Sequence, residues 1–198
     1  MKSISLFPIF FLVVFCLQGQ SKKSPDLQIG AHYWAVDFVD PGGLLSFDMP
    51  LLGKQKGQSI RYLMVNFDLG FYHKFRSHFG YNFTPGLAFR TIKIPTGRII
   101  DVKLGIGYQR SQFDAEVYEV TADNMLIKSN DTGQNLVMPY VMFRFGKDWR
   151  FTHKKPFGWN IGVGAYGRLF VNHHVVPGLF LSGGVNYYLS SKPKAYED

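Results

Sequence analysis

The sequence predicts an all-β fold: an eight-stranded antiparallel up-and-down transmembrane β-barrel behind an N-terminal signal peptide. Three observations carry this. Between residues 27 and 189 the chain repeatedly alternates apolar with small or polar side chains, in runs of about ten residues, the length that tilted strands need to cross an apolar band. The face opposite the apolar one is rich in glycine with scattered Asp, Asn, Lys and Arg, which suits a narrow polar barrel interior. Beyond the leader, no stretch has a useful helical period or approaches the roughly 20 apolar residues of a spanning helix. The chain therefore crosses a membrane as a closed barrel or not at all.

The leader is residues 1–19: Lys2, then an apolar run from Leu6 to Leu17, then small and polar residues with cleavage after Gly19 or Gln20. The run is too short for a spanning anchor, and Phe15 before Cys16 fits lipoprotein processing poorly. Cys16 is the only cysteine, so the domain expected at 20–198 has neither disulfides nor cysteine metal sites. Removing Lys2 takes the formal charge from +8 to +7. Export argues against nucleic acid as the partner of this basic chain and points to anionic lipid headgroups and lipopolysaccharide phosphates.

The strands follow in order. In the first, Leu27, Ile29, Ala31, Tyr33 and Ala35 oppose Gln28, Gly30, His32, Trp34 and Val36. Asp40-Pro41-Gly42-Gly43 reads as a turn. In the second, Leu45, Phe47, Met49 and Leu51 face away from Ser46, Asp48 and Pro50, and a basic turn at 53–58 follows. The third sets Leu63, Val65, Phe67, Leu69 and Phe71 against Asn66, Asp68 and Lys74; a tight connection lies at Arg76-Ser77-His78. The fourth sets Phe79, Tyr81, Phe83, Pro85, Leu87 and Phe89 against Asn82, Thr84 and Arg90. Pro85 and Pro139 on strand faces are the awkward positions, because proline cannot donate to a ladder.

After a turn at Pro95-Thr96-Gly97, the fifth strand has Ile100, Val102, Leu104, Ile106 and Tyr108 against Asp101, Lys103 and Gln109, with strand-like composition to about Val120. The longest polar connection spans 121–135. The sixth strand places Val137, Val141, Phe143 and Phe145 opposite Arg144, and a basic, aromatic turn leads to the last hairpin. There Trp159, Ile161, Val163 and Ala165 oppose Asn160 and Arg168, and Leu179, Leu181, Val185 and Tyr187 oppose Ser182 and Asn186. Eight strands put both termini on one side, and the long fifth connection on the other.

Alternation sends both signs of charge inside. Buried charge is costly unless paired, so ion pairs are expected among Asp48, Asp68 and Asp101 and Arg90, Lys103, Arg144 and Arg168. Aromatic girdles are expected at the two interfaces: Trp149, Phe157, Trp159 and Tyr187 at one, Tyr33, Phe71, Phe79, Tyr81 and Tyr108 at the other. Asp114, Glu116, Glu119, Asp123 and Asp131 make an acidic loop whose spacing does not match a calcium loop. Lys147, Arg150, Lys154 and Lys155 are expected as a basic surface at the terminal end. His173 and His174 with Ser182 are the one candidate for hydrolysis, but Ser182 lies well down the strand from the pair. No catalytic residue, metal site or cofactor is assigned.

On the alternation, the girdles and a last strand carrying Ser182, Gly184, Tyr187 and Leu189, the chain resembles the small eight-stranded outer-membrane barrels of Gram-negative bacteria over nearly all of 27–189. The resemblance implies location in the cell outer membrane and insertion by the barrel-assembly machinery. The tail at 190–198 departs from it, since many relatives end on the aromatic residue. The function expected is a structural or interaction barrel, adhesin-like or secretion-accessory-like, with a side-chain-filled polar lumen and an unidentified protein partner, rather than an open porin. The alternatives are a lipid A or phospholipid acyl-modifying enzyme and a soluble lipocalin-like carrier with its apolar faces turned inward.

Overall fold

The computed structural model describes residues 27–116, 118–120, 125–128, 132–171 and 174–190; the expected leader at 1–19 and the tail from 191 onward lie outside them. The strands are β1 (Gln28–Val36), β2 (Asp40–Lys56), β3 (Ser59–Lys74), β4 (His78–Lys93), β5 (Arg98–Phe113), β6 (Tyr118–Val120), β7 (Leu126–Lys128), β8 (Gly133–Asp148), β9 (Phe157–Val171) and β10 (His174–Tyr188), with one helical turn, α1 (Trp149–Thr152). Eight of these strands form a closed antiparallel ring, β1-β2-β3-β4-β5-β8-β9-β10. The ring shuts where β1 meets β10, from Gln28 opposite Tyr188 to Val36 opposite Phe180. β6 and β7 pair only with each other, as a hairpin within the long connection.

The two faces sort as the period-two pattern demands, except in β2, where a register shift between Pro50 and Leu52 exposes Leu52 in place of Leu51. Ile106 is 65% exposed and Phe143 57%, whereas Asp48 and Lys103 between them in height are 0% exposed. Apolar side chains therefore point out and the charges point in, the reverse of a lipocalin. Inside, the filling is layered rather than uniformly polar. At the terminal end Ile60, Tyr62, Met64, Ala88, Ile92 and Ile99 pack together, with Ile94 and Phe151 against them. At the far end Trp34, Leu44, Tyr72, Met138, Tyr166 and Phe180 belong to a second apolar cluster. Charged and amide side chains occupy the height between.

Several boundaries differ from the sequence reading, each for a local reason. The first turn is at Asp37–Val39, not at Asp40-Pro41-Gly42-Gly43. Asp37 and Phe38 take positive φ, 50° and 65°, the handedness that matches strand twist in tight hairpins. Asp37 N also donates to Leu179 O (2.7 Å) and its carboxylate accepts from the Tyr166 hydroxyl (2.8 Å). Pro41, the second residue of β2, lies where β3 does not yet run alongside, since that ladder begins at Gly42, an edge position that tolerates a missing N–H. The turn expected over 53–58 shrinks to Gly57 and Gln58, because β2 and β3 pair as far as Lys56 opposite Ser59. β5 ends at Phe113, not near Val120, because its partner β8 begins at Gly133.

Both awkward prolines lie on the outer face and interrupt one ladder each. β4 pairs continuously with β3 through Phe67 opposite Pro85, but its β5 ladder skips from Phe83 to Gly86. β8 pairs with β5 through Ile106 opposite Pro139, but its β9 ladder skips from Val137 to Tyr140. Each proline thus loses pairing on one side only.

The outward face makes a direct prediction. Leu104 sits mid-strand on β5, opposite Leu87 and Val141. Leu104→Arg should destabilise the barrel by about 2–4 kcal/mol, as arginine does near a bilayer midplane, in urea titrations of protein folded into lipid vesicles. A neutral effect there would mean that this face does not meet hydrocarbon.

Candidate functional site

Six of the seven residues expected to pair inside the barrel meet at mid-height. Arg90, Asp101 and Arg144 form one cross-strand row over β4, β5 and β8. Arg90 donates to Asp101 Oδ2 through Nε (2.9 Å) and Nη2 (2.8 Å); Arg144 donates to Asp101 Oδ1 through Nε (2.8 Å) and to Oδ2 through Nη2 (2.7 Å). Both guanidinium groups also reach Asp48 Oδ2, at 2.9 and 3.0 Å. Lys103 completes the set by bridging Asp48 Oδ1 (2.8 Å) and Asp68 Oδ1 (3.1 Å).

Neutral donors and acceptors add further hydrogen bonds. Gln28 accepts from Arg90 Nη1 and donates to Asp48, and Asp68 accepts from Asn66 (3.2 Å) and from the Tyr140 hydroxyl (2.8 Å). Three carboxylates face three cations, so the cluster is neutral as a whole. Paired and hydrogen-bonded charge is the form in which ions survive burial. It holds five strands to one another across the barrel axis and presents no free nucleophile. The Gln28 and Tyr140 contributions escaped the sequence reading; their inward parity was visible, but parity does not tell which neutral group reaches a carboxylate.

Arg168, the seventh, is a correction: it does not join the cluster. It lies near the far mouth, its guanidinium 4.9 Å from the Tyr166 ring centre and 5.9 Å from that of Tyr72, with Nη2 donating to the Tyr72 hydroxyl (3.3 Å). Arg150, expected on a basic surface, is also buried. Asp148 caps α1 by accepting from Arg150 N (2.9 Å) and pairs with its guanidinium (2.7 Å), which stacks 3.7 Å from the Tyr188 ring centre. This arrangement stops the terminal end beside the apolar cluster. Lys154 and Lys155 are exposed, and Lys147 is half-buried.

The girdle residues point outward at both ends. Tyr33, Phe71, Phe79, Tyr81 and Tyr108 are exposed toward the far end, with Phe71 and Phe79 stacked at 6.3 Å. Phe157 and Tyr187 meet at 5.3 Å at the terminal end, Trp159 packs on Phe145 at 6.1 Å, and Trp149 on His153 at 6.3 Å. In the acidic connection, Asp114 lies 3.7 Å from His73. Glu116 pairs with Lys128 and accepts from the Tyr118 hydroxyl (2.7 Å). Both contacts hold the Glu116 carboxyl below the usual carboxylate range, and the same carboxylate pushes the Tyr118 hydroxyl up. The Glu119 side chain, Asp123 and Asp131 lie outside the described residues. Among the described residues no three acids, histidines or cysteines converge on a metal position.

Among the described residues the hydrolase candidate does not assemble. Ser182 is buried, donates to Met142 Sδ (3.4 Å) and pairs in register with Trp34 and Gly162. His174 begins the same strand eight residues earlier, roughly 26 Å away along an extended chain. His173 lies outside the described residues.

The charge balance of the central cluster can be tested. Arg144→Met leaves Asp48 and Asp101 undercompensated, and should cost about 3–5 kcal/mol of unfolding free energy, as loss of one partner of a buried pair does. Asp101→Asn in the same background restores equal numbers of acids and bases. The double variant should therefore lose clearly less than the sum of the two singles; strict additivity in vesicle unfolding would show that the six groups do not act as a unit.

No family model matches the sequence, and no curated protein does. Solved structures do. The N-terminal β-barrel domain of Pseudomonas aeruginosa OprF superposes with a TM-score of 0.51 at 11% identity, over 84% of this chain and 100% of that domain. The outer membrane enzyme PagL (TM-score 0.48, 10% identity, 81% of this chain and 98% of that one) and Neisserial surface protein A (0.43, 11%, 82% and 94%) are more distant in shape. At such identities the likeness concerns the fold alone. With its eight-stranded ring, outward apolar face and inward charges, this chain has the fold of the small outer-membrane β-barrels.

Proposed function

We propose that this protein is an integral barrel of the outer membrane that works as a structural or interaction protein through its outer rim, not as a diffusion pore. The observation that carries the reading is the filled interior. Three layers lie in series along the axis: the apolar cluster with the Asp148–Arg150–Tyr188 stop, the six-charge cluster, and the aromatic far-end cluster. Two cavities between them measure about 20 Å³ beside Trp34 and Asp68 and about 10 Å³ beside Arg90 and Tyr62, each too small to pass solutes. An eight-stranded ring has room for its side chains and little else.

Orientation follows from the connections. The terminal end has the short turns at Gly57–Gln58 and 94–97, and the far end has the 114–132 connection with its β6–β7 hairpin. Outer-membrane barrels keep short turns in the periplasm and longer loops outside, so both termini are assigned to the periplasm and the hairpin to the exterior. On that assignment Lys154 and Lys155 face anionic phospholipid heads, while the outer girdle sits at lipopolysaccharide. The barrel-assembly machinery would insert the chain. An acyl-modifying enzyme is not favoured, because Ser182 and His174 do not meet.

Two measurements test the proposal together. In outer-membrane fractions the protein should be retained with the membrane and migrate differently on a gel when boiled and unboiled. Purified protein in planar bilayers should give no steady open-channel conductance. A freely soluble protein with no heat shift, or a large stable conductance, would overturn it.

A further inference from the structure

Just inside the far mouth, between β4, β5, β8, β9 and β10, lies a cavity of about 100 Å³. Its polar wall is Arg168, Ser111, Gln134 and His78; its apolar wall is Phe113, Leu136 and Val176. Among the described residues no carboxylate lines it. Among the described residues none pairs with Arg168 either: Asp40 faces Lys74 at 3.9 Å, and Asp37 accepts from the Tyr166 hydroxyl. The side chain is nevertheless held in place by the Tyr72 and Tyr166 rings and by the Tyr72 hydroxyl. Both rings have seats made for them, since a Cβ at Gly80 would run into Tyr72 and one at Gly178 into Tyr166. Arg168 Nε is buried and has no hydrogen-bond acceptor.

The surrounding hydrogen bonds keep the site neutral apart from that one cation. The Tyr72 hydroxyl accepts from Gln109 Nε2 (2.7 Å) and from Arg168, so its own proton goes to His78 Nε2 (3.0 Å). His78 Nδ1 then carries the ring proton and donates to Ser77 Oγ (3.0 Å). Ser77 is thereby a proton acceptor here, not an activated nucleophile. What remains is a positioned guanidinium, neutral donors beside it and an apolar wall opposite.

We propose that this cavity binds a small organic monocarboxylate with a short apolar or aromatic body, entering from outside the cell. A planar guanidinium matches a carboxylate with two parallel hydrogen bonds, and the binding balances a partly buried cation that cation–π contacts alone offset only in part. A phosphate dianion fits less well, because one cation and an apolar wall leave its second charge and third oxygen unmet. The proposal rests on the barrel reading only for the side from which the ligand enters.

The test uses the full-length mature protein folded in detergent micelles, titrated with benzoate by calorimetry against protein-free micelles. Saturable binding is expected. It should weaken by at least about tenfold in Arg168→Gln, the loss expected for a hydrogen bond to a charged group, and benzamide should bind the wild type as weakly. Leu136→Trp, which fills the cavity and leaves Arg168 in place, should abolish binding, so the proposal does not hang on one variant. Retention of the heat shift certifies folding of each variant; its loss in the wild type would count against the barrel reading instead. No saturable binding by the wild type, equal affinity in Arg168→Gln, or inorganic phosphate binding as tightly as benzoate would overturn the proposal.

Discussion

Closure of the β1–β10 ladder is the constraint from which the rest follows. A strand in hydrocarbon has no water to satisfy its N–H and C=O groups, so a sheet that crosses a bilayer cannot keep an edge. Nine residues of β1 pair with β2 on one side and with β10 on the other, and the ring is complete. Once it is, every strand has one face outward and one to a space about as wide as its own side chains. The chain then has little freedom about what the interior contains: enough volume to fill it, and a counter-charge for the ions held at its centre.

That second demand explains the layering. Carboxylates and cations at the same height neutralise one another only when each oxygen and each N–H finds a counterpart. The row Arg90–Asp101–Arg144 does this across three adjacent strands, and Asp48 and Asp68 tie it to β2 and β3 through Lys103. Toward either end apolar packing takes over much of the interior. The short helical turn after β8 serves the same need, because it folds Asp148 and Arg150 inward as a pair capped by the Tyr188 ring. A barrel built this way has its interior filled at mid-height by paired charge.

Face was legible in the sequence; height was not. The period-two pattern assigned Leu104 outward and Lys103 inward, and the acids and bases that meet at mid-barrel were all placed inside. Parity alone could not separate Arg168 from them, since it shares the inner face of β9 with Gly162, the residue opposite Arg144. It is register that sets them apart: six residues along an extended strand is roughly 20 Å. Turn chemistry misled for a related reason. Asp40-Pro41-Gly42-Gly43 has the composition of a turn, yet the pairing of Val36 with Asp40 leaves only Asp37–Val39 to reverse the chain. Arg150 looked like surface charge because its partner, Asp148, is visible only once the helical turn brings the two together.

The position of Arg168 also ties the mouth to the two prolines. Its strand is unpaired with β8 just where Pro139 removes an N–H, and the matching gap beside Pro85 frees Thr84 and Gly107 on the other flank of the same hairpin. Such gaps weaken a sheet, and they are placed here in its outer half, above the charge cluster, where β5 and β8 are still joined to each other without interruption. The β5–β8 ladder is therefore continuous at the height where Asp101 and Arg144 are held in register, and the ladders flanking it are looser where the interior opens into a cavity. A side chain at that height is fixed less by its backbone than by what stacks on it. For Arg168 that is Tyr72 and Tyr166, which is why a cation can stand inside the mouth without a carboxylate of its own.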